Sequence, residues 1–346
     1  MSDHSTNNKN AYRFLWLSIF LLIVGVCFLI RVPYYAMHAG DAIDTGEVIS
    51  VDGGYTEKTG NFFLTTVAMK KANVFDYLLS KVNHDLELIP VEDILAEDEN
   101  DKQYEKQQVE NMLESQHSAV IAAFHQAKKP VRVTYEGVEV LSVTSDAKHH
   151  LQIGDIIQSV DGTETRTTAK LMEFFKSKKA GDQVEVSVLR GKKKVVDRAT
   201  LIPLETGNNK DKRIGLGFLP MDRLHSLTST PKVNFTTNNI GGPSAGLMFA
   251  LEILNQLTPN DITKGYEIAG TGTISATGQV GQIGGIQHKV AAAMDKHASI
   301  FFVPKDTYEG DDNEAVAKRT AKELGADMKI VPVATLQEAM NYLNKL

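Results

Sequence analysis

The chain has 346 residues, 42% hydrophobic and 23% charged, with a formal net charge of −6. That balance suits ordinary globular folding over about two domains. Without a basic stripe or Arg-rich face to offset the negative charge, nucleic acid is excluded as a partner. A single cysteine, Cys27, excludes a disulfide framework, a cysteine-ligated zinc site and a thiol nucleophile.

In chain order, the first element is the run from Phe14 to Ile30, 17 residues without a charge between Arg13 and Arg31. It is at the short end for a spanning helix. Tyr12, Trp16, Tyr34 and Tyr35 at its edges suit membrane interfaces. The expectation is an uncleaved transmembrane anchor within residues 1–36, with the tail cytoplasmic and the body extracytoplasmic. A cleaved signal peptide is the alternative, and Met37-His38-Ala39 matches its cleavage rule poorly. Residues 37–130 then read as an extracytoplasmic segment of strands and a helix. The strands are GEVISV, a turn at Asp52-Gly53-Gly54, and NFFLTTVAM. Glu97-Asp98-Glu99-Asn100-Asp101 reads as an acidic loop. The helix runs from Tyr104 to about Gln126, with Val109, Met112, Ile121 and Phe124 near one face, and Pro130 ends it.

Residues 131–205 read as one β-rich module. VRVTY and GVEVLSV alternate as strands, and a further strand lies within Leu151–Gly162. Ala169–Lys176 is a short helix carrying Leu171, Phe174 and Phe175. QVEVSVLR and KKVVDRATLIPL close the module as a hairpin, with Lys192-Lys193-Lys194 in a solvated turn. This order, with Gly154-Asp155-Ile156-Ile157 and Val160-Asp161-Gly162 at its centre, resembles a PDZ domain. The resemblance implies recognition of extended peptide at a sheet edge. The glycine–hydrophobic loop that captures a terminal carboxylate is expected at Tyr135–Glu139, where Glu136 and Glu139 would repel an anion. Thr206 to Arg213 is polar and reads as a linker.

From residue 206 to 346 strands and helices alternate. Gly241-Gly242-Pro243-Ser244-Ala245-Gly246 opens onto a helix that Pro259 stops. Ser244 is expected at the helix N-terminus, where unpaired amides and the dipole favour an oxyanion. The turn residues Gly242, Pro243 and Ala245 are the candidate oxyanion site. Serine is also a good N-cap, so a purely structural role stays open. Lys289, 45 residues on, falls beside Ile286 and Ala293 on a predicted helix. A solvated lysine row with Lys296 is its alternative. Were Lys289 buried, desolvation would lower its pKa and let it accept a serine proton. His288 adjoins it but points about 100° away along the helix. The remaining histidines lack ligand spacing, so no metal site is expected. Asp311-Asp312-Asn313 reads as a turn or helix cap, with a substrate subsite as the alternative.

The region from Asn234 to Leu346 resembles the proteolytic domain of the Lon family. The match runs through Gly242–Gly246, Thr271-Gly272-Thr273-Ile274-Ser275, Gly278-Gln279-Val280, Ile283-Gly284-Gly285-Ile286 with Lys289, and the strand Ser299–Pro304. The resemblance implies that Ser244 is a nucleophile, Lys289 its general base and Thr271 a hydrogen-bond partner of the lysine. Two departures stand out. Gly241 occupies the place of an acidic residue found in energy-dependent Lon enzymes, and the sequence holds no Walker-type phosphate loop.

Taken together, the sequence implies an α+β chain: transmembrane helix, PDZ-like β-rich domain (131–205) and Lon-type α/β proteolytic domain (206–346). Its implied activity is ATP-independent serine endopeptidase, with no cofactor, a peptide or unfolded protein as substrate, membrane contact through residues 14–30 and room for a homo-oligomer. The whole combination resembles a group of bacterial surface peptidases that process secreted signalling peptides. The rival from another class is a non-catalytic, membrane-bound PDZ scaffold with a decayed hydrolase domain. A chymotrypsin-like PDZ protease lacks its His, Asp and Ser order here.

Overall fold

The computed structural model describes residues 4–83, 85–95, 100–204, 213–237 and 240–346. Residues 97–99 of the acidic stretch, 206–212 of the expected linker and the turn residues 238 and 239 lie outside the described residues, as does the side chain of Tyr12. The chain forms two compact units. One joins Met1–Pro130 to Ser229–Leu346; the other is Val131–Thr228.

The first stretch of the discontinuous unit holds α1 (His4–Leu29), β1 (Arg31–Asp44), α2 (Thr45–Val48), β2 (Ile49–Val51), β3 (Asn61–Asn73), α3 (Val74–Leu79), β4 (Glu87–Pro90), α4 (Val91–Ile94) and α5 (Asp101–Gln126). The other unit holds β5 (Val131–Val143), β6 (Ile156–Val160), β7 (Thr163–Glu164), α6 (Thr168–Phe175), β8 (Gln183–Arg190), β9 (Lys193–Thr200), β10 (Ile202–Leu204), β11 (Arg213–Gly215) and β12 (Phe218–Ser229). The chain then returns to the first unit with β13 (Val233–Phe235), α7 (Gly246–Leu257), β14 (Glu267–Gly270), β15 (Thr273–Ile274), β16 (Val280–Gly281), α8 (Ile286–Asp295), β17 (Ile300–Pro304), α9 (Asn313–Glu323), β18 (Lys329–Val333) and α10 (Leu336–Leu343).

The discontinuous unit corrects the expected domain boundaries. Its six-stranded sheet has the order β18-β17-β14-β3-β1-β4, so strands from residues 31–90 and 267–333 make one sheet. Parallel pairing of β14 with β3, Gly270 opposite Leu64, is the seam between the two stretches. Residues 37–130 are therefore not a separate domain. The second unit in turn reaches residue 228, well past the expected boundary at 205.

Among the described residues no helix is long and apolar enough to cross a membrane, so the expected spanning helix is not found. The uncharged run inside α1 ends at Leu29 and covers about 24 Å, short of the ~30 Å hydrocarbon core. Arg31 begins β1, and Tyr34 and Tyr35 pair with β4 instead of lying at a membrane interface. Tyr35 is buried and donates its hydroxyl to Asp101 Oδ1 at 2.6 Å; burial, then that carboxylate, push its pKa up to about 12. On α5, Met112, Ile121 and Phe124 are buried as expected, whereas Val109 is exposed.

Strand alternation divides the core between two faces of the sheet. Phe63, Ala269, Phe301 and Val303 point toward Ile286 and Val290 of α8 and Ala317 of α9. On the opposite side α7 packs close: a Cβ on Gly270 would stand 2.6 Å from Met248 Sδ. Phe302 there meets the Tyr342 ring of α10 edge-on at 5.8 Å.

In the second unit the sheet order is β12-β5-β6-β8-β9, with β7 beside β6 and β12 at an edge. Val138, Ile157, Val160, Leu171 and Val186 form its core. Lys192 lies in the turn of the β8–β9 hairpin, whereas Lys193 and Lys194 of the expected lysine turn already belong to β9, opposite Arg190 and Leu189. Residues 135–139 do not form a loop. They lie inside β5, with Val138 opposite Ile157 and Glu139 opposite Ile156. A glycine–hydrophobic run, Gly215-Leu216-Gly217-Phe218, joins β11 to β12 instead. Gly217 takes φ +79°, and a Cβ there would stand 2.7 Å from Thr144 Oγ1.

Every residue of α7 is buried, so its polar side chains need internal partners. Gln256 Nε2 donates to Glu252 Oε1 at 2.6 Å and to the Ile49 carbonyl at 3.0 Å. The single Thr45 hydroxyl proton has two acceptors in reach, the Phe62 carbonyl at 2.9 Å and Glu252 Oε2 at 3.2 Å. A protonated Glu252 removes the conflict by donating to Thr45. Burial pushes the Glu252 carboxyl pKa upward, which favours that neutral form. The unfolded chain releases this proton at a lower pH than the folded one. Stability therefore falls as pH rises from the ordinary carboxylate range up to the raised folded value. Thermal unfolding followed across that window should show a steeper loss for wild type than for Glu252→Gln, which cannot ionise.

Candidate active site

Ser244 and Lys289 meet although their helices cover opposite faces of the sheet. Ser244 lies in the turn just before α7, two residues ahead of Gly246, and so is not the N-cap. Lys289 sits in the first turn and a half of α8, which begins after Gly285 at φ +68°. That left-handed position favours glycine, and Met37 Sδ and Val67 Cγ1 would both stand 3.1 Å from an added Cβ. The meeting point lies beyond the C-terminal end of β14, the edge where open α/β sheets place their ligands.

Lys289 is 3% exposed, and its Nζ lies 3.0 Å from Ser244 Oγ. It also donates to the Thr65 carbonyl of β3 at 2.8 Å. Burial alone lowers its pKa from 10.5 to about 8, because no carboxylate compensates the desolvated charge. Lys296, the next lysine, is exposed at the end of α8, so no solvated lysine row includes Lys289.

The partner implied for Lys289 is different from the one found. Thr271 is fully buried, and its hydroxyl donates to the Ser244 carbonyl at 3.0 Å. The Gly272 amide donates to the same carbonyl at 2.8 Å. Thr271 thus holds the serine's backbone, while Thr65 holds the lysine. Sequence reasoning missed Thr65 because a backbone carbonyl has no residue signature; the strand NFFLTTVAM was visible but not its place in the sheet.

The candidate oxyanion residues separate in the same way. Pro243 has no amide hydrogen, and the Gly242 amide donates to the Gln108 carbonyl at 2.9 Å. The Ser244 and Ala245 amides carry no backbone partner among the described residues, which leaves them as the donors beside Oγ. His288 faces away from Ser244: its Nε2 lies 2.9 Å from Glu87 Oε2. A cavity of about 1090 Å³ lies on that His288 side, and Ser244 does not line it. Asp311 accepts from the Thr307 and Tyr308 amides, and buried Asn313 accepts from the Ile283 amide, so both serve turns. Among the described residues no cluster of His, Cys, Asp or Glu could hold a metal ion.

Comparison with known proteins agrees with this geometry. Residues 236–344 match the Lon protease (S16) C-terminal proteolytic domain, and residues 113–198 match the PDZ domain. The first match leaves out Thr65, and the second begins within α5, so neither follows the boundaries of the compact units. A Lon protease of Campylobacter concisus is 35% identical over 99 residues, 29% of this chain and 11% of that protein. A Lon protease of Mycoplasmopsis agalactiae is 24% identical over 205 residues, 58% of this chain and 19% of that protein. The chain thus spans a small part of the curated relatives it matches. The PDZ domain of an SdrC-like protein from Listeria monocytogenes is 29% identical over 26% of this chain and 92% of that one, with a TM-score of 0.23. Residues 236–344 thus match the Lon protease (S16) C-terminal proteolytic domain on a chain whose residues 113–198 match the PDZ domain.

Proposed function

We propose that the protein is an endopeptidase that cleaves peptides or unfolded segments with a Ser244–Lys289 dyad and without an ATPase motif of its own. The observation that carries this reading is a buried amine, neutral near pH 8, at 3.0 Å from a serine hydroxyl. The neutral Lys289 accepts the Ser244 proton as Oγ attacks the scissile carbonyl. The Ser244 and Ala245 amides receive the developing oxyanion. Lys289 then protonates the leaving amine, and water hydrolyses the acyl-enzyme. Thr65 keeps the amine aimed, and Thr271 keeps the serine backbone still.

The PDZ domain supports a peptide as substrate. A groove of about 730 Å³ lies between α6 and the Gly215–Phe218 loop, lined by Leu171, Met172, Phe175 and Leu216. It runs beside the edge strand β12, where an extended peptide can add as another strand. We also propose that the protein is attached to the cell membrane through residues 14–30, with its body extracytoplasmic. Phe14, Trp16, Leu22 and Leu29 of α1 are all more than two-thirds exposed, an apolar surface that lipid would cover. Protease added to intact cells should then remove the body; survival of the body until lysis would refute that placement.

Three measurements test the dyad. Ser244→Ala and Lys289→Ala should each lower kcat/KM on an unstructured peptide by at least about 10⁴-fold. Persistent cleavage in either variant would overturn the assignment. Because the base must be uncharged, kcat/KM should rise about tenfold per pH unit below pH 8 and level off above it. A depressed lysine pKa also costs stability, since the unfolded chain holds this proton more tightly. The shift from 10.5 to about 8 corresponds to about 3 kcal/mol, present in full below pH 8 and gone by pH 10.5. Lys289→Met should therefore raise the unfolding temperature at pH 7, with the gain shrinking as pH climbs above 8.

A further inference from the structure

We infer that α5 is part of the catalytic apparatus, and that Ser115 is a positioning residue that aims the Ser244 amide at the oxyanion. The inference rests on the dyad reading and goes beyond it to a helix outside the matched proteolytic segment.

One stripe of α5 touches the nucleophile turn. The Gln108 carbonyl accepts the Gly242 amide at 2.9 Å. Ser115 Oγ donates to the Pro243 carbonyl at 2.9 Å, and Gln116 Nε2 donates to Thr237 Oγ1 at 2.8 Å. Residues 108, 115 and 116 are seven and eight apart, two helical turns, so they share a face. Ser115 is 4% exposed, so this hydroxyl is committed to the turn and not to solvent.

The glycines of the turn are shaped for this contact. A Cβ on Gly241 would stand 3.0 Å from Gln108 Cβ, and one on Gly246 would stand 2.9 Å from Ser115 Oγ. The first and last glycines of Gly-Gly-Pro-Ser-Ala-Gly thus let α5 approach.

The geometry around Ser244 shows what the approach achieves. In a trans peptide the carbonyl and the amide hydrogen point in opposite directions. The Pro243 carbonyl and the Ser244 amide belong to one peptide plane, and Ser115 holds its carbonyl. The Ser244 carbonyl and the Ala245 amide belong to the next plane, and Thr271 and Gly272 hold that carbonyl. Both planes that flank the nucleophile are therefore fixed by their oxygens, and their two amides are turned the other way. Ser115 orients one oxyanion donor and Thr271 the other.

The test uses the full chain and an unstructured peptide. Ser115→Ala should lower kcat about tenfold, as expected for one misaligned hydrogen bond. KM should stay within about twofold, because the donor acts on the transition state and not on the bound peptide. The pH midpoint should not move, since nothing around Lys289 changes. Ser115→Thr keeps the hydroxyl and should restore kcat. Wild-type kcat in Ser115→Ala overturns the inference, as does failure of Ser115→Thr to recover activity at unchanged thermal stability. If the alanine variant does not fold, Ser115→Cys replaces it: higher kcat for Thr than for Cys supports the inference, and equal values overturn it. Cleavage that survives Ser244→Ala defeats the dyad itself. Cleavage lost in Ser244→Ala but intact in Ser115→Ala defeats only the role of Ser115.

Discussion

The structure is organised around one unfavourable fact: a lysine amine sits where water cannot reach it. At 3% exposure, Lys289 has lost its hydration shell and gained only a backbone carbonyl and a hydroxyl in return. Neither carries a charge, so neither restores the ammonium form, and the amine becomes a base near neutral pH. A nearby carboxylate would undo the effect by pairing with the ammonium. Glu87 of β4, which reaches α8, is engaged with Gln287 and His288. The sheet and helices around the amine exclude water from it, and the Thr65 carbonyl fixes its direction.

The same principle of uncharged restraint applies to the nucleophile. Ser244 is held through the Pro243 carbonyl by Ser115 and through its own carbonyl by Thr271 and Gly272, while its side chain is left to Lys289. Constraint on the main chain with freedom at Oγ suits a group that must form and break a covalent bond. The partly desolvated surroundings keep these neutral hydrogen bonds strong.

Much of this was legible in the sequence, and what was not has a physical cause. Ser244 and Lys289 announce themselves through a glycine-rich turn and an apolar helical stripe. The PDZ module is visible through alternation and its Gly-Asp turn. Thr65 and Ser115 were invisible because their importance comes from sheet seams and helix packing between residues more than a hundred positions apart. The β1 strand was hidden because Arg31, Pro33 and the two tyrosines beside an apolar run read as a membrane boundary. Tyr135–Glu139 resembles a turn because of Gly137 yet lies within β5, whereas the glycine–hydrophobic run Gly215-Leu216-Gly217-Phe218 joins β11 to β12. Local patterns identify elements; the order in which a sheet recruits them is decided by burial that no short window contains.

The seam between β3 and β14 has a consequence for how the chain comes to life. Thr65 and Lys289 are separated by 224 residues, with an entire compact unit synthesised between them. As the chain leaves the ribosome, β3 must wait unpaired on one side until β14 has emerged, whereas the PDZ unit can fold on contacts of its own. No aimed base exists before that closure, because the carbonyl that aims the amine lies 224 residues ahead of the lysine on α8. Topology thus delays the arming of the serine until both stretches of the discontinuous unit are present.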